Sequence, residues 1–283
     1  MGEHRVQMDF NCLYCDEPNR TFKSKYHIVP YSLGNNEENP RFKILDELVL
    51  PPGIVCDDCN TYFGKHLDSP LVLHPIVSLW KTLYRRSGYK CKTPKYSNEN
   101  VSIFYTNNQM VLQNKNNSEM IGHNGSLQIP TPSLVDVEHS LVSRAIHRIA
   151  FEYLIFESLK QKNLPLVKQE FSSVKYATIR KYIREPDKKQ YRPYGMASTP
   201  EGDIAVSPLS FTKSEDLRLV APEIQACVVN LPGVRFLCTL ADDAEGALKW
   251  VRSYLDNDPI LKSYTSVTHI YSTSKGECLV SMK

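Results

Sequence analysis

Four of the eight cysteines stand in two close pairs, Cys12-Leu13-Tyr14-Cys15 and Cys56-Asp57-Asp58-Cys59, while Cys91, Cys227, Cys238 and Cys278 are scattered singly. A Cys-x-x-Cys pair sets two thiolates on one tight turn, where they can grip one side of a tetrahedral ion. Two such pairs close the shell and leave no position for a substrate. The chemistry expected of Cys12, Cys15, Cys56 and Cys59 is therefore structural Zn2+ binding. The interval from Cys15 to Cys56 is longer than a compact zinc ribbon needs, so a further element must sit between the pairs. The four single cysteines read as small buried hydrophobes. Met1 to Arg5 leads into no apolar signal segment, so a cytoplasmic setting is expected, where thiols stay reduced and a disulfide framework is not anticipated.

The elements that would position these thiols follow from the intervening chain. A strand-like run leads into His27, continues through Ile28 and Val29, and stops at Pro30. A second apolar run covers residues 48–50, and Pro51-Pro52-Gly53 turns the chain into Ile54, Val55 and Cys56. Asp57 and Asp58 favour a helix start. The helix is expected to run through residues 59–68 and to end before Ser69-Pro70. The layout is strand, loop, strand, helix, with a metal knuckle pinning its two ends.

Cys-x-x-Cys, then His27-Ile28-Val29-Pro30-Tyr31-Ser32-Leu33-Gly34, then Val55-Cys56-x-x-Cys59-Asn60-x-x-Phe63-Gly64-x-x-x-Asp68 resembles the HNH endonuclease family in its zinc-stapled ββα-metal form. The resemblance covers about residues 9–70. It implies that His27 is the general base activating water against a phosphodiester, and that Asn60 helps to hold a catalytic Mg2+ or other divalent ion. A neutral imidazole with a reference pKa of about 6.5 can accept that proton near neutral pH. A hard ion prefers oxygen ligands, which suits the Asn60 amide better than a thiolate. Two departures stand out: the family's middle Asn has no counterpart, and its acidic metal ligand before the His is here Tyr26. Another carboxylate or His66 could complete the site, Asn60 with phosphate and water could suffice, or cleavage could be weak or lost. On an ideal helix Asp68 lies about 80° from Asn60 and about 12 Å along the axis, and His66 lies about 120° away. Asp68 is thus expected to support the helix end, and His66 to face solvent or a DNA backbone.

Beyond this segment, residues 81–95 carry Lys81, Arg85, Arg86, Lys90, Lys92 and Lys95 without an acid. Arg85, Arg86, Lys90 and Lys92 are candidate phosphate contacts. Short strands are expected at 101–105, 110–113 and 126–129. An amphipathic helix is expected from Leu134 through Leu154, with His139 and His147 as ordinary helix-face residues. A second helix is expected around 172–184, in a span (160–192) with ten basic residues against three acidic. Strands at 204–211, 225–240 (a hairpin broken at 231–233), 266–271 and 278–282, with a helix at 242–255, complete the chain. The fold class expected is α+β: a zinc-stapled ββα module at 1–80, a basic helical and strand region at 81–197, and an α/β accessory domain at 198–283. The net charge of +3 divides into +6 before residue 198 and −3 after it. No P-loop or GxGxxG motif suggests ATP-driven action, and no run is long enough to span a membrane. The resemblance implies duplex DNA as partner, and a homodimer would let one site per chain cut both strands. A zinc-stapled DNA-binding protein without cleavage, or a protein-interaction scaffold, are the alternative readings.

Overall fold

At Gly53 the backbone takes φ 100°, a left-handed conformation natural to glycine and strained for other residues. This turn returns Ile54 to the first cysteine pair, where the Leu13 N–H donates to the Ile54 carbonyl at 3.0 Å. The computed structural model describes residues 11–15, 17, 20–33, 48–83, 95–106, 109–115, 136–185, 192–198, 217–221, 226–231, 234–240, 268–272 and 278–282. The expected strands at 126–129 and 204–211, the helix at 242–255 and the basic residues Arg85, Arg86, Lys90 and Lys92 lie outside the described residues.

Strand β1 (Tyr26–His27) pairs antiparallel with β2 (Val49–Leu50), in the register Tyr26↔Leu50 and His27↔Val49. Successive strand side chains point to opposite faces, so Tyr26 is buried at 3 % exposure while His27 is half-buried. Helix α1 (Asp57–Phe63) starts from Cys56 as N-cap, whose sulfur accepts from the Cys59 N–H. The expected stop before Ser69-Pro70 is not met. The chain passes through one π turn, Gly64–Asp68, where the Ser69 N–H donates to the Gly64 carbonyl, and runs on as α2 (Ser69–Leu73). Proline lacks an N–H and crowds the preceding turn of a regular helix. Here Pro70 falls in the first turn of α2, directly after the π turn, whose wider spacing absorbs the change of register.

Helix α3 (Pro75–Leu83) leads toward a three-stranded antiparallel sheet of β3 (Tyr96–Ser97), β4 (Val101–Thr106) and β5 (Gln109–Asn114). Helix α4 (His139–Leu159) follows, then α5 (Leu164–Ser172), capped by the Asn163 side chain, and α6 (Ala177–Arg184). The single helix expected across 172–184 is divided by an extended Ser173 and a 3-10 turn at Val174–Tyr176. Serines favour such breaks because their hydroxyls compete for backbone groups.

Strands β6 (Tyr194–Ser198), β7 (Leu217–Ala221), β8 (Ala226–Leu231), β9 (Val234–Thr239), β10 (Thr268–Ser272) and β11 (Cys278–Met282) form one antiparallel sheet in the order β11-β10-β6-β9-β8-β7. Strands β8 and β9 pair antiparallel as the two arms of a hairpin, Leu231 facing Val234, as expected. The boundary expected at 197/198 falls inside β6, which pairs with both β9 and β10. The molecule is thus α+β.

Helix α4 runs through the middle. Every residue from Val142 to Tyr153 is buried, including Ser143, Arg144, His147, Arg148 and Glu152. The amphipathic helix expected here is instead enclosed on all sides over this stretch, packed against α2, the π turn, α5, α6, β2, β8 and β9. His147 is accordingly a core residue and not a helix-face one. The sequence pattern misleads because these polar side chains find partners inside the protein.

Candidate functional site

The two Cys-x-x-Cys turns face each other. The Sγ atoms of Cys12, Cys15, Cys56 and Cys59 all lie within 4.8 Å of one another, with Cys15 and Cys56 at 3.8 Å. A disulfide needs about 2.05 Å, and these cysteines are free. Tetrahedral Zn–S bonds of about 2.3 Å imply S···S separations of about 3.8 Å, so the cluster needs only slight contraction to hold such an ion. Three backbone N–H groups already point at sulfur: Cys56 and Tyr14 to Cys12 Sγ at 3.4 and 3.5 Å, and Cys59 to Cys56 Sγ at 3.4 Å. Such donors stabilise thiolates and orient them as ligands. The hydrogen bond from the Cys59 thiol draws Cys12 down to about 4, whereas burial pushes Cys56 up to about 11. Among the described residues this is the one grouping of three or more His, Cys, Asp or Glu able to converge on a metal ion.

His27 ends β1 with its ring edge-on to Tyr31 at 5.4 Å. Asn60 lies half-buried in α1, directly after Cys59, and its side chain takes no hydrogen bond among the described residues. Asp57 fixes the chain that leads into β1 against the first turn of α1. Its carboxylate accepts from the Lys23 N–H at 3.1 Å, the Ser24 N–H at 2.8 Å and the Ser24 hydroxyl at 2.6 Å. These donors hold the Asp57 carboxyl well below its ordinary range, the Ser24 hydroxyl first among them.

Tyr26, at the position of the acidic ligand, and Asp68 are both committed elsewhere. Tyr26 turns into the core, where its phenol donates to Glu152 Oε1 at 2.5 Å and accepts from Arg148 Nη1 at 2.7 Å. Asp68 pairs with Arg148 Nη2 at 2.5 Å. His66 is exposed, its ring 4.7 Å from that of Tyr62. Arg148 also pairs with Glu152 Oε2 at 2.9 Å, and Tyr14 donates to Glu152 Oε1 at 2.9 Å. Burial raises the Glu152 carboxyl to about 7, against the pull of Arg148 and the two phenols. Arg148 and Glu152 were not apparent as site residues from sequence. The one available signal is their i,i+4 spacing of opposite charge in an otherwise apolar helical run.

Several of the basic residues of α4, α5 and α6 have structural partners. Lys168 donates to the carbonyls of Asn11 and Gly53, beside the two cysteine turns. Arg180 bonds the Phe171 carbonyl, and Arg184 lies 4.1 Å over the Tyr62 ring. Arg144 spans from the Tyr182 and Ile183 carbonyls to the Tyr62 hydroxyl. The abundance of positive charge there is partly a device for closing helix ends and bridging elements. Cys227 and Cys238 are fully buried, as expected of small hydrophobes. No described helix is long and apolar enough to cross a membrane. Compared with known proteins, the chain matches no family model, no curated protein and no solved structure.

Proposed function

We propose that the chain is a metal-dependent endonuclease of the HNH type, hydrolysing DNA phosphodiester bonds beside a structural Zn2+ held by Cys12, Cys15, Cys56 and Cys59. The observation that carries this reading is the convergence of the two cysteine pairs around a strand–strand–helix unit that has His27 at a strand end and Asn60 in the helix. In this mechanism His27 accepts the proton of the attacking water, a role suited to a half-buried imidazole. The Asn60 amide oxygen offers a hard ligand, with water and the scissile phosphate completing the shell in place of a carboxylate. A divalent ion at that position would offset the charge that develops on the phosphate. The cysteine site keeps the two ends of the unit together and takes no part in bond cleavage. DNA is the partner, with Arg85, Arg86, Lys90 and Lys92 contacting its backbone.

Plasmid nicking in Mg2+ or Mn2+ tests the reading. His27→Ala should lower the rate by about 100-fold or more, the usual contribution of a general base. Equal cleavage by the two proteins would remove His27 from the mechanism. One observation favours a second reading, a DNA-binding module without cleavage: the residue at the usual acid position, Tyr26, is buried against Glu152 and cannot act as a ligand. Salt-sensitive DNA binding without nicking would select it.

A further inference from the structure

The residues on either side of His27 are both fastened to one ion pair on α4. Tyr26 bonds Glu152 and Arg148, at 2.5 and 2.7 Å, and the Ile28 carbonyl accepts from Arg148 Nη2 at 3.2 Å. The same Nη2 holds Asp68, in the π turn that directly follows α1, the helix that carries Asn60. Tyr14, between the first two zinc-binding cysteines, closes on Glu152. One guanidinium–carboxylate pair therefore ties together the cysteine turn, the His27 strand and the Asn60 helix.

We propose that Arg148 and Glu152 are positioning residues that set His27 and Asn60 at a common site for a divalent cation. This rests on the nuclease reading above. Stability alone does not require such a pair, because a buried ion pair can often be exchanged for apolar residues at no loss. What apolar residues cannot supply is a directed fork. The planar guanidinium presents its donors at fixed angles and reaches Tyr26, Ile28, Asp68 and Glu152 at once. Lysine keeps the charge and loses that geometry. Phenylalanine at Tyr26 keeps the ring and loses its share of the network.

The full-length, zinc-loaded chain carries the test, with 13C in its histidine rings and the His27 signal assigned by its loss in His27→Gln. Mn2+ alone is titrated, and broadening of the His27 signal reports a cation held beside it, without DNA or cleavage. Arg148→Lys and Tyr26→Phe should each need about tenfold more Mn2+ for equal broadening, equivalent to about 1.4 kcal/mol, while retaining zinc. A lower melting temperature with an unchanged Mn2+ midpoint is what a merely structural role produces, and it would overturn the proposal. If Arg148→Lys loses its zinc or its cooperative melting, Tyr26→Phe decides the matter by the same midpoint. No broadening of His27 in the wild-type protein at millimolar Mn2+ would overturn the cation site and this inference together. Broadening in the wild type with unshifted variants would leave the site standing and remove only the role of the pair.

Discussion

Arg148 and Glu152 sit in the interior with 1 % and 0 % of their side chains exposed, where neither charge could remain alone. Removing one partner of a buried pair costs about 3–5 kcal/mol. Glu152→Ala, which strands Arg148 and two phenol donors, should lose that much in urea denaturation, and a loss under 1 kcal/mol would mean that water replaces the carboxylate. Two histidines make acid a second test. His74 and His147 are buried, and burial depresses both from 6.5 to about 3. The unfolded chain therefore takes up these protons first as pH falls. Their contribution is complete above about pH 6.5 and is lost between there and about pH 3, at about 1.4 kcal/mol per pH unit for each. His74→Phe should flatten the fall of stability between pH 6 and 4, and an unchanged slope would place the cause elsewhere. Neither histidine could be told from a surface one in the sequence, since burial of a titratable ring depends on what packs over it.

Among the elements, the helical run from α1 through the π turn to α2 carries Cys59 and Asn60 and is capped by Cys56. Phe63, 1 % exposed, sets its ring 4.7 Å from Tyr14 and lies 5.7 Å from the Arg148 guanidinium. Phe63→Ala should cost about 3–5 kcal/mol and weaken zinc retention, measured as the chelator concentration that strips the metal. Undiminished retention would show that the cysteine turns stand without this packing. Cys56→Ser removes one thiol of the cluster while its hydroxyl can still cap α1, so its zinc content should fall from one per chain toward zero. The β1–β2–α1 order was legible because Pro30, the Pro51–Gly53 turn and the Asp57/Asp58 helix start are local signals. The continuation past Pro70 was not, because it depends on a wide turn that Leu67 and Leu71 anchor in the core.

At the scale of the whole molecule, one hydrophobic core extends from Cys12 to Leu240, taking in the cysteine module, α4 and the β8–β9 hairpin. A chain cut at residue 80 lacks the helix against which Tyr14, Tyr26 and Asp68 are satisfied. Residues 1–80 alone should bind zinc without a cooperative thermal transition, followed by circular dichroism, and a sharp transition would show that the module is autonomous. By itself the sequence determined the two cysteine pairs that converge, the strand–strand–helix order around His27 and the β8–β9 hairpin. Each of these is written in spacing or turn chemistry that acts over a few residues. Only the tertiary structure decided that Tyr26 faces inward, that Asp68 belongs to Arg148 and that α4 is buried on all sides from Val142 to Tyr153. The first two outcomes depend on partners more than 70 residues away in the chain, and the desolvation of a charged group is tolerable only where such partners arrive to meet it.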